Sequence, residues 1–503
     1  MSKILLINPA YADVYGASKA GLVRHIIPTL GLATIAADAV RRGHRVKILD
    51  MSDSFYDWTK VQRVVREFGP DVVGISATTP LMNQLRDLSV LCRDISKDIL
   101  LVGGGAHVSA LPERSLEESF LDVVVAGEGD IVFGRICDGD SFTDRPGLCR
   151  RLERGTVVGA GEGGPLENLD DLPMPAWHLY DPAAYRAKTS RLIVRCPPCL
   201  ELEFSRGCAY DCHFCASKKI HPLGHRKKSS KRCAEEVKTA ERMGWREFVL
   251  ADDIFTSNRE WALSVCEELI RSETSVRWSC LNGIRVDSAD LPLFRTMRRA
   301  GCYRLAFGFE TGNEQRLRAS GKGGRASLEA GRRAVRWARE AGMETCGYFL
   351  IGLDGDTKET VEDTIAYACS LGLDMLKFGV AMPFPGSALF DAYLARGAIR
   401  SFDWDAYNTY ANLQPFEHSS LSREEIGFLM GKAYRETVGL NPAFWFRRLR
   451  RGLGTGDIFW DPYYFLKFLF SPALNTSRKE AYYARPRWPQ PEHAAGRRDR
   501  GVH

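Results

Sequence analysis

Two series of alternating sequence patterns run along the chain, and they limit what it can fold into. In the first series, short β-branched runs near 3–7, 45–49, 72–76, 99–102 and 122–125 are separated by longer amphipathic segments. Strands that alternate with helices are typical of α/β proteins with a parallel sheet. The first series therefore predicts a doubly wound parallel sheet, whose ligands bind beyond the carboxyl ends of the strands.

The second series begins near residue 200, and its strand patterns are again separated by helical segments. The strand patterns lie near 201–205, 247–251, 276–280, 303–309, 344–350 and 375–380. A closed barrel of this type needs eight strand–helix units. The six units found here predict a partial (β/α)6 TIM-like barrel, and the pattern after Pro385-Gly386 is mostly helical.

Composition divides the chain further. Residues 151–195 are rich in Gly, Pro and acidic residues and are expected to form a linker. This linker separates a Rossmann-like domain at 1–150 from the partial barrel at 196–397. A helical C-terminal region is expected at 398–483, and the segment 484–503, rich in Pro, Arg and Gly, is expected to be a disordered tail.

Overall composition narrows the class of protein. Of the 503 residues, 45% are hydrophobic and 26% are charged, which is typical of a globular protein. A net charge of +6 is too small to predict nucleic-acid binding. The N-terminus does not resemble a signal peptide, and no apolar run reaches the roughly 18 residues of a membrane helix. We therefore expect a cytoplasmic protein, in which 14 cysteines indicate metal or redox chemistry.

Three cysteines follow the first barrel strand at a spacing of C-x3-C-x2-C: Cys208, Cys212 and Cys215. Thiolates this close together are typical ligands of iron–sulfur clusters. A structural zinc ion needs four ligands, and here His213 or the pair Cys196 and Cys199 could complete the set. Coincidental proximity of buried thiols is a third interpretation. Three thiolate ligands would leave one iron of a four-iron cluster open to a small molecule.

This segment resembles the radical S-adenosylmethionine (SAM) enzymes, in which the open iron binds the amino and carboxylate groups of SAM. The resemblance covers about 200–397 and implies a 4Fe-4S cluster held by the three cysteines. It also implies SAM contacts for residues that follow in the family's order, namely Phe214, Asp252, Asp253, Glu310 and Ile351. The sequence departs from the family at Asp252-Asp253, where many relatives have a motif similar to Gly-Gly-Glu.

Small and polar residues also follow the strands of the first series. They are Ser76, Thr78, Gly103, Gly104, Gly105, His107, Gly127, Glu128 and Gly129. Glycine lets a backbone approach a ligand closely, and hydroxyl groups hydrogen-bond amides and phosphates. The region resembles the cobalamin-binding domains that precede the radical core in one class of radical SAM enzymes. Because the sequence has no Asp-x-His-x-x-Gly motif, the resemblance implies cobalamin without a protein histidine on cobalt; a domain that binds no cofactor is the alternative.

Together, the two resemblances imply a cobalamin-dependent radical SAM enzyme. The implied reaction is C-methylation of a small metabolite or lipid-like substrate, in which a 5′-deoxyadenosyl radical abstracts hydrogen from an unactivated carbon and methylcobalamin supplies the methyl group. The implied electron donor is a protein such as a flavodoxin or ferredoxin. The alternatives are an oxidative cyclase or rearrangement enzyme, a tRNA-modifying radical enzyme, and a non-catalytic metal- or corrinoid-binding module.

The C-terminal region contains an aromatic and Arg-rich segment from Asn441 to Arg451. Such a segment can lie on a membrane surface or approach a lipid-like substrate. The interpretation that we favour is a helical cap whose aromatic side chains are buried and whose arginines are solvated.

Overall fold

The computed structural model describes most of the chain. The described residues are 1–11, 26–52, 57–140, 147–151, 157–159, 165–191, 193–221, 224–288, 290–322, 324–409 and 414–455, with 458, 460 and 463. The predicted tail at 484–503 and part of the predicted linker lie outside them.

The first sheet is mainly parallel. Its strands are β1 (Lys3–Asn8), β2 (Arg45–Asp50), β3 (Val72–Ser76), β4 (Leu100–Gly104), β5 (Val123–Val125), β6 (Leu148–Arg151) and β7 (Val157–Gly159). They lie in the order β2-β1-β3-β4-β5-β6-β7. Strands β1 to β5 are parallel, so the predicted doubly wound sheet is confirmed. The antiparallel pair β6 and β7 extends one edge, which places β7 within the segment expected to be a linker.

Helices connect the parallel strands of this sheet. They are α1 (Leu30–Arg41), α2 (Trp58–Phe68), α3 (Met82–Ile95), α4 (Ala106–Ala110) and α5 (Pro112–Glu117), while α6 (Val132–Cys137) lies between β5 and the antiparallel β6. Every residue of β1 except Lys3 is buried. Helices cover both faces of a parallel sheet of this kind, so its strands are buried on both sides. The sequence of such a strand is a continuous apolar run.

The segment between the two sheets packs tightly against both. It contains α7 (Pro182–Arg186), where Tyr185 donates a hydrogen bond to Asp50 of β2. Just before α7, the Trp177 ring lies 6.5 Å from the ring of Trp245, which precedes the second strand of the barrel. One continuous core of buried apolar residues includes side chains from both sheets and from this segment. The two sheets are therefore parts of one packed body.

The second sheet is entirely parallel. Its strands are β8 (Cys199–Leu202), β11 (Glu247–Leu250), β12 (Arg277–Ile284), β13 (Cys302–Glu310), β14 (Glu344–Ile351) and β15 (Met375–Val380), while β9 (Ser205–Arg206) and β10 (Arg226–Lys227) form a separate antiparallel ribbon. The six parallel strands lie in chain order from β8 to β15. This arrangement confirms the predicted partial barrel.

Each strand of the barrel is followed by helical structure. The helices are α8 (Ser230–Arg242), α9 (Arg259–Arg271), α10 (Leu291–Arg299), α11 (Glu314–Ala319), α12 (Leu328–Glu340), α13 (Lys358–Leu371) and α14 (Ala388–Ala395). The side chains of Ser229, Asn258, Asp290, Ser327 and Thr357 cap helix N-termini by accepting backbone hydrogen bonds. Such caps satisfy amide groups that the helix itself leaves unpaired.

The C-terminal region contains α15 (Arg423–Tyr434) and α16 (Pro442–Thr455). The expectation of buried aromatics and solvated arginines is met at Phe444 and Arg450 and is wrong at Trp445, Phe446 and Arg451. Arg451 forms ion pairs with Glu344 and Asp374 at the amino ends of β14 and β15, whereas Phe446, Leu449 and Leu453 are 68%, 54% and 70% exposed. Among the described residues, no helix is long and apolar enough to cross a membrane.

Candidate functional site

Loops at the carboxyl ends of the two sheets meet at one interface. A Cβ atom added to Gly127, which follows β5, would lie 3.8 Å from the carbonyl oxygen of Ile220. Glu128 forms an ion pair with Arg206, which ends β9 just before the cysteine loop. Ligands of open α/β sheets bind at this end of the strands. The interface therefore brings together the two sets of predicted site residues.

The cysteine loop is held in place by backbone hydrogen bonds. The His213 amide donates to the Ser320 carbonyl at 2.9 Å, and the Leu389 amide donates to the His213 carbonyl at 2.8 Å. Gly321 has a φ of 74°, and a Cβ atom there would lie 2.6 Å from the His213 ring. Glycine is thus required where the segment after α11 supports the loop.

The donor set of this loop suits an iron–sulfur cluster. Cys208 and Cys212 are partly buried, Cys215 is exposed, and all three thiols are free. Burial raises the pKa of Cys212 to about 11, so iron binding would displace a proton from this thiol. Among the described residues, no three His, Cys, Asp or Glu side chains are arranged to hold a single metal ion.

The second pair of cysteines lies at the other end of the barrel. Cys199 begins β8 and is fully buried. The Cys196 amide donates to Glu247, which begins β11, at 2.7 Å. Since the cysteine loop follows the carboxyl end of β8, this pair is separated from it by the length of the strand.

The two aspartates predicted to meet SAM have different environments. Asp252 is buried; it accepts a hydrogen bond from the Phe204 amide at 2.7 Å and one from the Ser205 hydroxyl at 2.5 Å. Burial raises the pKa of Asp252 to about 7. Asp253 accepts a hydrogen bond from the Gly207 amide, next to Cys208, at 2.9 Å. Asp253 therefore lies beside the cysteine loop, whereas both oxygens of Asp252 are used within the fold.

Glu310 ends β13 in an unusual backbone conformation. Its φ is 65°, and the register of β13 against β14 shifts between Gly308 and Glu310. The Lys322 ammonium group lies 2.6 Å from Glu310 Oε1. A Cβ atom at Gly308 would lie 2.6 Å from the same oxygen, so glycine makes room for the pair. Backbone strain of this kind costs about 1–3 kcal/mol and is concentrated at functional sites.

The two apolar residues of the predicted SAM site lie near the same edge of the barrel. Phe214 is partly buried and packs against the main core. Ile351 ends β14 and is fully buried, and its carbonyl accepts a hydrogen bond from the Ala381 amide at 2.9 Å.

The predicted glycines of the first sheet serve two purposes. A Cβ atom would lie 2.4 Å from Leu121 Cδ1 at Gly103, and 2.7 Å from the Ala77 carbonyl oxygen and 2.9 Å from Ser76 Oγ at Gly105. These two glycines are therefore required by internal packing. At Gly104, Gly127 and Gly129, the nearest atoms would be 4.0, 3.8 and 3.7 Å away. We call these three the open glycines, because packing inside the protein does not require glycine there, although the φ of 82° at Gly127 favours it.

Two polar residues flank these glycines: Thr78, which is partly buried, and His107, which is buried. Thr78 lies beside Tyr11, and its hydroxyl lowers the Tyr11 pKa while burial, the larger effect, raises it. The His107 ring packs edge-on against Trp404 at 4.5 Å, and its Nδ1 lies 3.3 Å from the Thr79 hydroxyl. His107 Nε2 is buried and has no hydrogen-bond partner among the described residues. This nitrogen could serve a ligand in the cleft, so the residues present are compatible with a corrinoid.

Glu128 is placed differently from the prediction of a cofactor contact. Both of its oxygens are bound by side chains of the protein itself, Arg206, His221 and Arg226. The sequence did not indicate a role for these three residues or for Lys322, because each acts by pairing with a residue that is distant along the chain. The one local signal was the position of Arg206, two residues before Cys208.

Comparison with known proteins identifies the family. The model of the Radical SAM superfamily matches residues 202–368, and that of the B12 binding domain matches residues 20–136. An uncharacterized methyltransferase of Pyrococcus horikoshii is 30% identical over 413 residues, which are 81% of this chain and 87% of that protein. The chain belongs to the cobalamin-binding radical SAM family.

Other members of this family differ in their reactions. The cytidylyl-2-hydroxyethylphosphonate methyltransferase of Streptomyces wedmorensis is 28% identical and covers 79% of this chain and 82% of its own. The anaerobic magnesium-protoporphyrin IX monomethyl ester cyclase of Rubrivivax gelatinosus is 27% identical and covers 81% and 72%. The solved structure of the radical SAM methyltransferase TsrM from Kitasatospora setae, 20% identical, matches 80% of this chain and 76% of its own with a TM-score of 0.65. This likeness confirms the fold of the family.

Proposed function

We propose that this protein is a cobalamin-dependent radical SAM C-methyltransferase acting on a small molecule. The observation that carries the proposal is the interface at which Gly127 and Glu128, after β5 of the first sheet, meet the segments on either side of the cysteine loop. When bound, the cluster and SAM supply a radical that abstracts hydrogen, and cobalamin supplies a methyl group. Both reactive groups would then lie at one interface.

The roles of the protein's own residues follow from their positions. Cys208, Cys212 and Cys215 would hold the cluster, and Asp253 would receive the amino group of SAM. Glu310, oriented by Lys322, would accept hydrogen bonds from the ribose. Phe214 and Ile351 would form the apolar surface for adenine. Gly104, Gly127 and Gly129 would let the backbone approach the corrinoid, near Ser76, Thr78 and His107.

Anaerobic reconstitution with iron, sulfide and hydroxocobalamin tests this proposal. We expect about four irons and one cobalt per chain, because three thiolates hold one cubane. Reduction by dithionite with SAM should then yield S-adenosylhomocysteine, in which methyl has left SAM, as well as 5′-deoxyadenosine. Cobalt without S-adenosylhomocysteine would favour the cyclase or rearrangement alternative. Zinc in place of iron would contradict the radical mechanism.

We also propose that a flavodoxin or ferredoxin delivers the electron, since the exposed thiol of Cys215 puts one edge of the cluster near the surface. Replacing dithionite by reduced flavodoxin in the same assay tests this point. Cleavage of SAM with reduced flavodoxin would support the proposal. Cleavage that occurs only when dithionite is the reductant would contradict it.

The comparisons give no support to membrane contact. The exposed apolar side chains of α16 are the structural observation that favours a peripheral contact with lipid. Sedimentation with phosphatidylglycerol vesicles tests it: the wild type should pellet, and a Leu449→Asp, Leu453→Asp variant should not. A wild-type protein that stays in the supernatant would overturn it.

A further inference from the structure

Six ionisable side chains are buried or partly buried where the two sheets meet. The acids are Glu128, Asp130 and Glu203, and the bases are Arg206, His221 and Arg226. None of these side chains is more than 17% exposed. Burying charges is costly even when they are paired, so such a network is weak evidence for a gain in stability. Its geometry indicates another role.

Arg206 is the residue from which the cysteine loop starts. Its guanidinium binds Asp130 through two nitrogens at 2.7 and 2.9 Å, and its Nε lies 2.5 Å from Glu203. Glu128 Oε2 lies 3.2 Å from the same guanidinium. The chain just before Cys208 is therefore fixed to the segment that follows β5.

Glu128 also fixes the chain after the cysteine loop. Its Oε1 lies 2.8 Å from His221 Nδ1, and its Oε2 lies 3.1 Å from Arg226. Burial opposes ionisation of Glu128, but hydrogen bonds from His221 and Arg226 hold its pKa well below the usual range. The Glu128 carboxylate thus binds residues on both sides of the three cysteines.

The backbone on either side of Glu128 follows β5, at the edge of the sheet where the proposed function puts cobalamin. Its neighbours Gly127 and Gly129 are two of the glycines that leave room beside the first sheet. One side chain thereby links the strand-end backbone of the cobalamin-binding domain to both ends of the cluster-binding loop. A shift of this carboxylate would move one site relative to the other.

We propose that Glu128 is a positioning residue that sets the distance between the cluster and cobalamin. The proposal rests on the proposed function, because both cofactors must bind. It replaces the expectation that Glu128 contacts cobalamin directly.

Pulsed electron paramagnetic resonance tests the proposal, since the reduced cluster and cob(II)alamin both carry an unpaired electron. In the wild type, the dipolar coupling between them should give one narrow distance distribution. In Glu128→Gln, which keeps the shape but removes the charge, iron and cobalt contents should stay at wild-type values while the distribution shifts or broadens. Glu128→Asp, which keeps the charge but shortens the side chain, should give an intermediate result.

Asp38→Asn is the matched control. Asp38 is a buried acid that binds two arginines, Arg41 at 2.5 Å and Arg42 at 2.6 Å, within the cobalamin-binding domain alone. This variant loses a buried ionic interaction of the same kind, and it should leave the distance distribution unchanged. An unchanged distribution in Glu128→Gln, or a selective loss of cobalt, would overturn the proposal; the second result would make Glu128 a cofactor ligand.

Hydrogen exchange of the protein without cofactors gives an independent arm. Amides at 207–215 should exchange about tenfold faster in Glu128→Gln and at the wild-type rate in Asp38→Asn. Unchanged exchange in Glu128→Gln would overturn the proposal even if the wild type bound no cobalt. A wild type without cobalt would instead contradict the proposed function, so the two failures are distinguishable.

Discussion

Lys322 Nζ lies 2.6 Å from Glu310 Oε1, at the end of the barrel strand whose backbone is strained. We expect Lys322→Met to leave the Glu310 carboxylate without its orienting partner. A hydrogen bond to a charged group contributes about 1.5–3 kcal/mol, so SAM binding should weaken about 10- to 100-fold. Equilibrium dialysis of cluster-loaded protein with labelled SAM measures this change. Lys227→Met, in the exposed part of β10, is the control, and equal affinity in both variants would contradict a ribose role for Glu310.

Substitutions at the neighbouring residues Asp252 and Asp253 should have different effects, one on stability and the other on SAM binding. Asp252→Ala leaves the Phe204 amide and the Ser205 hydroxyl without their acceptor, which should cost about 2 kcal/mol and lower the apparent Tm by about 4–8 °C. Asp253→Asn should instead weaken SAM binding with little change in Tm. Thermal unfolding and the same dialysis assay measure both. If Asp252→Ala weakened SAM binding at unchanged Tm, the two assignments would have to be exchanged.

The cysteines offer a comparison within one chain. Cys212→Ala should abolish the iron and sulfide content after reconstitution, since two thiolates cannot hold a cubane in place of three. Cys196→Ala should keep the wild-type iron content, because Cys196 lies at the amino end of the barrel strands. Iron and sulfide quantification measures both variants. Loss of metal in Cys196→Ala would revive the alternative of a mixed zinc site.

Much of the fold could be predicted from the sequence because its signals are local. The alternation of buried strands and amphipathic helices predicted every parallel strand of both sheets. Most predicted strand ends lie within a few residues of the observed ends. The antiparallel pair β6 and β7 was missed, since Leu148–Arg151 is short and half polar and therefore lacks the apolar pattern of the parallel strands. The parallel partial barrel was predictable because each unit repeats the same pattern.

The candidate site was predictable only where its residues are close in the sequence. The three cysteines fall within eight residues, so their spacing alone indicated a cluster. Glu310 and Lys322 lie 12 residues apart, and Arg206 and Asp130 lie 76 apart. Such pairs depend on how the loops at the strand ends meet in space. The periodicity of the sequence carries no information about these contacts. For the same reason, the sequence could not distinguish packing glycines from open ones.

Alanine substitutions should distinguish the glycines that internal packing requires from the open glycines. Gly104→Ala has room for its methyl group, so the fold should persist while cobalamin binding weakens. Gly105→Ala combines a φ of 97° with a Cβ atom 2.7 Å from the Ala77 carbonyl, and it should lower the apparent Tm strongly. Gly139→Ala, with a φ of 82° and no atom within 4 Å, isolates the backbone strain of about 1–2 kcal/mol. Equal Tm values for Gly105→Ala and Gly139→Ala would contradict the packing argument.

His107 should make the protein sensitive to acid. Burial, followed by the nearby charge of Arg114, lowers the pKa of His107 to about 3, whereas an unfolded histidine has a pKa of about 6.5. Between these values the unfolded chain binds the proton and the folded chain does not, so stability is lost as the pH falls below about 6.5. At pH 5 the loss should be about 2 kcal/mol. His107→Phe removes this titration and keeps a ring against Trp404.

Scanning fluorimetry at pH 7.5 and pH 5 measures this contribution as a difference between proteins. The fall in apparent Tm on acidification should be smaller in His107→Phe than in the wild type, because other titrating groups act equally in both. His178→Phe, at an exposed position before α7, controls for the removal of a histidine from the chain and should keep the wild-type pH dependence. An equal fall in the wild type and in His107→Phe would show that His107 is protonated without cost in the folded protein, and that its packing against Trp404 does not exclude the charge.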